Sequence, residues 1–322
     1  MKILVTGGNG FVGRALVRAL HEDGHDVVAP VRRAEPPDIG GVTWLPGFDF
    51  DSNGALQQAL DDAEAVVHCA AYAHRTRRIT DHDREQFETV NVGLSRRLYD
   101  AAVTAGVGQF VFISSIGALR AASDEPVTEQ TPPAPTSDYG KSKLRAEQQL
   151  RSMARSSATE LTILRPSLVY GPGNPGNMAR LSRLVDTGLP LPFGRIDGTR
   201  SLIYIGNLCS AIIACLGNDQ AYANDFNICD DEALRLPDLV SAIATAKGRK
   251  ARLVPVPLFA LNLLGRIGDA FAQLPGGGIG IDSYSVAQLT SSLPCSNRKA
   301  RDVLGWRPPC SVADGLRRTF GG

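Results

Sequence analysis

"VTGGNGFVGRAL", residues 5–16, joins a short apolar run to an amphipathic one. The run that leads into it, "KILVT" (2–6), is continuous rather than alternating, as expected of a strand buried on both faces. The stretch that follows, 11–23, has helical periodicity. Between them Gly7, Gly10 and Gly13 stand at GxxGxxG spacing, preceded by Thr6. Gly7 permits a tight turn, Gly10 has no side chain to obstruct a pyrophosphate, and Gly13 lets helix and strand pack closely. The helix start then offers unpaired N–H groups to phosphate oxygens. A glycine trio alone says little; between a first strand and a first helix it reads as a dinucleotide cradle.

The same texture extends along the chain. "DVVAPV" (26–31), "AVVHCA" (65–70), "QFVFIS" (109–114) and "LTILRP" (161–166) are further continuous apolar runs, separated by helical patterns at 53–61, 83–105 and 138–155. Strands and helices in alternation predict an α/β fold, a doubly wound parallel sheet covered on both faces. After about residue 170 the texture changes. "YGPGNPGN" (170–177) is a turn-rich break. A helix at 178–187, a strand at 200–205 and helices at 207–217, 236–247, 258–272, 296–304 and 312–319 follow, with "LPGGGIG" (274–280) a glycine-rich loop. This divides the chain into a dinucleotide-binding unit over 1–170, joined by about 200–220, and a smaller mixed α/β C-terminal substrate unit over 171–199 and 221–322.

Composition narrows the class. Hydrophobic residues are 43%, charged residues 21% and net charge +1, which places the chain among ordinary globular proteins and gives no basic footprint for nucleic acid. Arg75, Arg77 and Arg78 read as a solvated loop. The six cysteines form no CxxC pair and match no zinc spacing; no metal is expected, and a reducing cytoplasm is compatible. "MKILVTGG" is too short for a signal peptide, and no apolar run approaches the roughly 20 residues of a membrane helix.

The second strand ends "VVAPVRR", without the carboxylate that often binds a ribose 2′-hydroxyl. Arg32 and Arg33 there suit a 2′-phosphate, which favours NADP(H) and still admits NAD(H). Two exposed arginines of no consequence remain the alternative. Asp49 and Phe50, after the third strand, are placed to meet the adenine, though a surface acid and a core phenylalanine are equally ordinary. "YGKSK" (139–143) sets Tyr139 and Lys143 one helical turn apart on one face. A phenol of ordinary pKa about 10 exchanges protons poorly near neutrality. A nearby ammonium and an oxidised nicotinamide would favour the phenolate, so that Tyr139 trades a proton with a substrate oxygen. Ser115, ending "FVFISS", can hydrogen-bond the same oxygen from the edge of the sheet.

Together "TGGNGFVG", "HCAA" (68–71), "SS" (114–115), "YGKSK", "LRPSLVYGPG" (164–173), "RSLIYI" (200–205) and the closing "LGWRPP" (304–309) resemble an extended short-chain dehydrogenase/reductase, over essentially the whole chain. The likeness is to nucleotide-sugar epimerases and reductases, and "GLPLPFGRIDGTRSLIYIGNL" resembles the branch making UDP-N-acetylquinovosamine from a 4-keto-6-deoxy precursor. The resemblance implies a Rossmann-type fold and a catalytic set of Ser115, Tyr139 and Lys143, with Lys143 also holding the nicotinamide ribose. It implies cofactor contacts from Asn9, Phe11, Val12, Cys69, Ala70, Ala71, Asn91, Ser114 and Pro166, Asn91 also ordering the active-site helix. On the substrate side it implies Tyr72 and Ser115, Asn177 at the diphosphate, Phe193 near the uracil and Arg200 on a phosphate. A guanidinium suits a diphosphate on chemistry alone. A homodimer is left open.

Two departures stand out. Asn207 replaces the usual acid after "RSLIYI", and the acid after the second strand is missing, which bears on NAD specificity. Sugar 4,6-dehydratases carry an Asp-Glu pair after the catalytic threonine. Here Ile116 and Gly117 follow Ser115, and neither moves a proton. The expected activity is therefore 4-keto reduction of a UDP-4-keto-6-deoxy-N-acetylhexosamine, in surface polysaccharide synthesis. Epimerisation at C4 of a UDP-sugar with bound NAD is the alternative. A small-ketone or steroid-type reductase would need no Arg200, and an NADP-sensing regulator would need no Ser115, Tyr139 and Lys143.

Overall fold

The computed structural model describes residues 1–32, 35–73, 79–174, 176–271 and 283–321. Arg33, the Arg75, Arg77 and Arg78 cluster and the 274–280 loop lie outside them. The first part of the chain runs β1 (Lys2–Thr6), α1 (Phe11–Glu22), β2 (Asp26–Val31), β3 (Val42–Pro46), α2 (Asn53–Ala59), β4 (Ala65–His68), α3 (Asp81–Gln86), α4 (Leu94–Thr104), β5 (Gln109–Ile113), α5 (Asp138–Ala154) and β6 (Glu160–Pro166). Then come β7 (Leu168–Tyr170), α6 (Asn177–Asp186), β8 (Thr199–Tyr204), α7 (Ile205–Cys215), β9 (Asp225–Ile228), β10 (Ala233–Arg235), α8 (Leu236–Ala246), α9 (Leu258–Phe271), α10 (Ser283–Thr290), α11 (Arg298–Leu304) and α12 (Val312–Phe320).

Seven strands form one sheet in the order β3-β2-β1-β4-β5-β6-β9, each pair of neighbours parallel. The strands were legible because they are buried on both faces: every residue of β4 and β5 is buried. Leu16 and Leu20 of α1, Leu208 and Ile212 of α7 and Ala300 of α11 cover one face. Leu56 of α2, Leu98 and Tyr99 of α4 and Leu150 of α5 cover the other. Each such leucine, buried completely, stabilises the fold by about 1.5–3 kcal/mol before its entropy is counted. The strand order reverses between β1 and β4, so ligands are expected above their carboxyl ends.

A three-stranded sheet, β10-β8-β7, sits with α6, α8, α9, α10 and α12 around a separate core that includes Met178, Leu202, Val240 and Leu316. β9, from the stretch assigned to the second unit, pairs with β6 and completes the large sheet. β8, assigned with the first unit, pairs with β7 and β10 in the small one.

The helix expected over 83–105 is three pieces. Between α3 and α4 the residues Phe87–Gly93 form a π-helical turn. Such a turn carries one residue more than an α turn and turns side chains out of their α-helical rows. Asn91 lies in it.

Candidate active site

The cradle is built from bare backbone. Gly7 adopts φ +73°, and a Cβ there would stand 2.7 Å from the Ala70 nitrogen. At Gly13 a Cβ would stand 2.0 Å from the Gly7 carbonyl oxygen. The Gly10 N–H donates to that same oxygen at 2.8 Å. No side chain caps the start of α1, and its first turn carries no acid. Bare glycines facing an uncapped helix start fit a dinucleotide pyrophosphate. Asn9, Phe11 and Val12 lie on this loop and the first turn of α1, and Phe11 and Val12 also pack against the core of the smaller sheet.

At the end of β2, Arg32 is exposed and its guanidinium lies 5.6 Å from the centre of the Phe50 ring. Phe50 is buried in the core, while Asp49 is exposed and accepts from the Asp51 N–H at 2.9 Å. Arg32 and Phe50 are thus brought together beside the cradle strand, the arginine using the aromatic face.

α5 starts at Ser137, whose hydroxyl accepts from the Gly140 N–H at 3.1 Å. A Cβ on Gly140 would lie 2.2 Å from the Gly117 carbonyl oxygen, so the first turn of α5 presses directly on the turn that follows Ser115. That contact explains the glycine inside "YGKSK". Ser115 accepts from the Gly117 N–H at 3.1 Å, and its own proton remains to give. The Tyr139 ring meets Phe87 edge-on at 6.3 Å, and Phe87 meets Tyr72 at 5.4 Å.

Burial pushes the Tyr139 phenol up to about 12. The Lys143 ammonium donates to the Ile113 carbonyl at 2.8 Å and lies 4.6 Å from the Phe112 ring centre. Burial lowers Lys143 to about 8, against the raising influence of Cys69 and Glu147. Cys69 is pushed up to about 12, first by burial, and behaves as an inert core thiol.

Asn91 is a junction. Its side-chain oxygen accepts from the Tyr72 N–H at 2.7 Å, and its amide donates to the Tyr72 carbonyl at 3.1 Å and to the Ser142 hydroxyl at 2.9 Å. It therefore ties the 70–72 segment, with Ala70 and Ala71, to α5. The Tyr72 hydroxyl donates to Asp83 at 2.6 Å. Ser114 turns inward. Its hydroxyl donates to Glu147 at 2.5 Å, and Glu147 holds Arg165 through two bonds of 2.9 and 2.6 Å. Arg165 also reaches Asp225 of β9 at 2.5 Å. Pro166 closes β6, paired with Ile228.

On the smaller sheet Arg200 occupies β8 opposite Leu234 and donates to the carbonyl and hydroxyl of Ser291 at 3.2 and 2.5 Å. Phe193 is buried in the core of that sheet. Asn177 opens α6. Asn207, the departure from the family acid, donates to Asp230 and to the Cys310 carbonyl, both at 2.7 Å. Asp230 also accepts from the Tyr204 N–H and the Tyr170 hydroxyl, and burial raises it to about 6 despite these bonds. An acid, Asp230, thus lies against Asn207. Sequence reading missed Asp230, Glu147, Arg165 and His68, whose partners lie far along the chain and leave no local signal, and Asp83, whose capping box with Thr80 is a local signal left unread. Among the described residues no group of three or more His, Cys, Asp or Glu could hold a metal, and no helix is long and apolar enough to cross a membrane.

Known proteins extend this picture. A UDP-glucose 4-epimerase of Vibrio cholerae is 34% identical over 327 residues, covering 98% of this chain and 94% of its own. A dTDP-4-dehydro-6-deoxyglucose reductase of Escherichia coli is 25% identical over 331 residues, covering 98% and 95%. The structure of MoeE5 in complex with UDP-glucuronic acid and NAD superposes with a TM-score of 0.78 at 26% identity, over 99% of this chain and 98% of that one. Residues 3–229 match the profile of the epimerases, the NAD dependent epimerase/dehydratase family. With the glycine cradle and the seven-stranded parallel sheet in place, the chain belongs to that family of enzymes.

Proposed function

We propose that the protein moves a hydride at C4 of a UDP-sugar, and that its net reaction is reduction of a UDP-4-keto-6-deoxy-N-acetylhexosamine. The observation that carries the reading is the first turn of α5, which bears Tyr139, pressed on the turn that follows Ser115. A ketone needs a proton at oxygen as it is reduced, and the Tyr139 phenol would give it. Ser115, with its lone pair already used by Gly117, would steady the same oxygen by donating. Lys143, fixed on Ile113 at the carboxyl edge of β5, would hold the ribose. A nicotinamide cofactor, its pyrophosphate held by the Gly7, Gly10 and Gly13 loop, would supply the hydride. Arg32, beside Phe50, supports a preference for NADPH. Arg200 and Asn177 would meet the diphosphate, and the enzyme would work in the cytoplasm.

Epimerisation at C4 is the second reading, favoured by the 34% likeness to a UDP-glucose 4-epimerase. Incubating the purified protein with the 4-keto sugar and either NADH or NADPH, and separately with UDP-glucose or UDP-N-acetylglucosamine, distinguishes them. Reduction consumes one reduced nicotinamide per sugar; epimerisation yields the C4 epimer and consumes none. Turnover of none of these sugars would end both readings.

A further inference from the structure

Between the two apolar faces of the large sheet runs a line of polar side chains that the reaction does not touch. The Thr6 hydroxyl lies 2.6 Å from His68 Nδ1, His68 Nε2 lies 2.9 Å from the Ser95 hydroxyl, and Ser95 donates to the Asn91 carbonyl at 2.7 Å. The Ala70 N–H donates to the Thr6 oxygen at 3.3 Å. Thr6, His68 and Asn91 are 0% exposed and Ser95 1%, so water satisfies none of them.

The direction of every bond follows from one proton. A carbonyl only accepts, so the Ser95 hydrogen is committed to Asn91. Ser95 can then only accept from His68, and the ring proton sits on Nε2. Nδ1 is bare and accepts the Thr6 hydrogen, which leaves the Thr6 oxygen to receive Ala70. Burial, with the Lys143 charge behind it, holds the imidazole neutral down to about pH 3. The ring packs 5.8 Å from Phe112 and 6.0 Å from Phe110, an environment that any apolar side chain would satisfy.

We infer that His68, as its Nε2–H tautomer, is a positioning residue that fixes the Ala70 edge of the cofactor cradle against the Asn91 turn, and so sets where Tyr139 stands. One arm, through Thr6, holds the Ala70 nitrogen that Gly7 approaches so closely. The other arm, through Ser95, holds the turn in which Asn91 grips Tyr72 and Ser142. Ser142 is on α5 between Tyr139 and Lys143. The role in turnover rests on the proposed use of Tyr139; the tautomer and the cradle arm do not.

Two substitutions separate the arms. His68→Asn keeps an acceptor for Thr6 but cannot reach Ser95; His68→Gln can place an amide N–H at Ser95 but loses the bare nitrogen facing Thr6. His68→Asn should lower kcat about 10- to 100-fold, more than it weakens the cofactor, because small misplacements of a reacting group are costly. His68→Gln should weaken cofactor binding about tenfold, more than it lowers kcat. Ser95→Ala, a milder change, should follow His68→Asn, and the pair should be non-additive. Nitrogen-15 NMR of the imidazole reads the tautomer in the wild type: protonated Nε2 and bare Nδ1, unchanged from pH 5 to 8. A proton on Nδ1, or equal effects of all variants on kcat and cofactor affinity that track only the loss of folded protein, would overturn the inference. If the wild type turns over no UDP-sugar, the NMR and a fluorescence titration of NADH still decide it.

Discussion

Tyr139 carries a prediction at the level of one oxygen. Tyr139→Phe removes the phenol hydroxyl while the ring keeps its edge contact with Phe87. Turnover should fall about 10²–10⁴-fold with cofactor affinity near wild type, measured by steady-state kinetics beside a binding titration. Wild-type turnover would remove Tyr139 from the chemistry. Arg32→Asp should weaken NADPH far more than NADH, because it puts a negative charge where a 2′-phosphate would sit. Equal losses for both would return Arg32 to its place as a surface cation stacked on Phe50. Arg200→Leu should raise KM for a UDP-sugar about ten- to a hundredfold with NADPH affinity unchanged. Calorimetric titration of UDP and NADPH separates the two, and a fall in NADPH binding with UDP intact would place the substrate elsewhere.

Among the elements, the first turn of α5 is the most exacting. Gly140→Ala would drive a Cβ into the Gly117 carbonyl, 2.2 Å away, and force the helix start off the Ser115 turn. Overpacking of this kind costs about 1–3 kcal/mol, visible in a thermal melt. The displacement should also lower kcat about a hundredfold, and an unchanged kcat would show that the contact does not set the site. The sequence was read well where the signal is local. Continuous apolar runs located β1, β2, β4, β5 and β6, and the glycines located the cradle. Three kinds of feature escaped. The π turn at Phe87–Gly93 breaks a helical pattern that periodicity alone shows as continuous. The short strands β7, β9 and β10, of three or four residues, offer too little pattern to register. Buried polar partners such as Ser114 with Glu147, or Asn207 with Asp230, come together only on folding, so neither pairing shows in the sequence.

For the molecule as a whole, two buried groups oppose each other in acid. Asp230 titrates at about 6 when folded against 3.8 ordinarily, so its proton favours the native state fully below about pH 3.8, and that contribution is lost as pH rises through about 6. His68, neutral to about 3 against 6.5 ordinarily, acts the other way, and stability falls as pH drops below 6.5. Between roughly pH 4 and 6 the two slopes largely cancel. Asp230→Asn removes one of them, and the variant should lose stability on acidification more steeply than wild type by about 1.4 kcal/mol per pH unit. Urea midpoints at pH 4.5 and 6 test this; parallel curves for the two proteins would refute it. The position of β9 has a kinetic consequence as well. β6 is buried from Leu161 onward, yet one of its two neighbours is β9, which follows β7, α6, β8 and α7 in the chain. During synthesis the ribosome releases β6 long before Asp225, so the nascent sheet carries an open apolar edge, and Arg165 waits for half of its counter-charge. Pairing across so long a loop is slow. It is in the speed of folding, and in dependence on chaperones at that stage, that this topology exacts its toll.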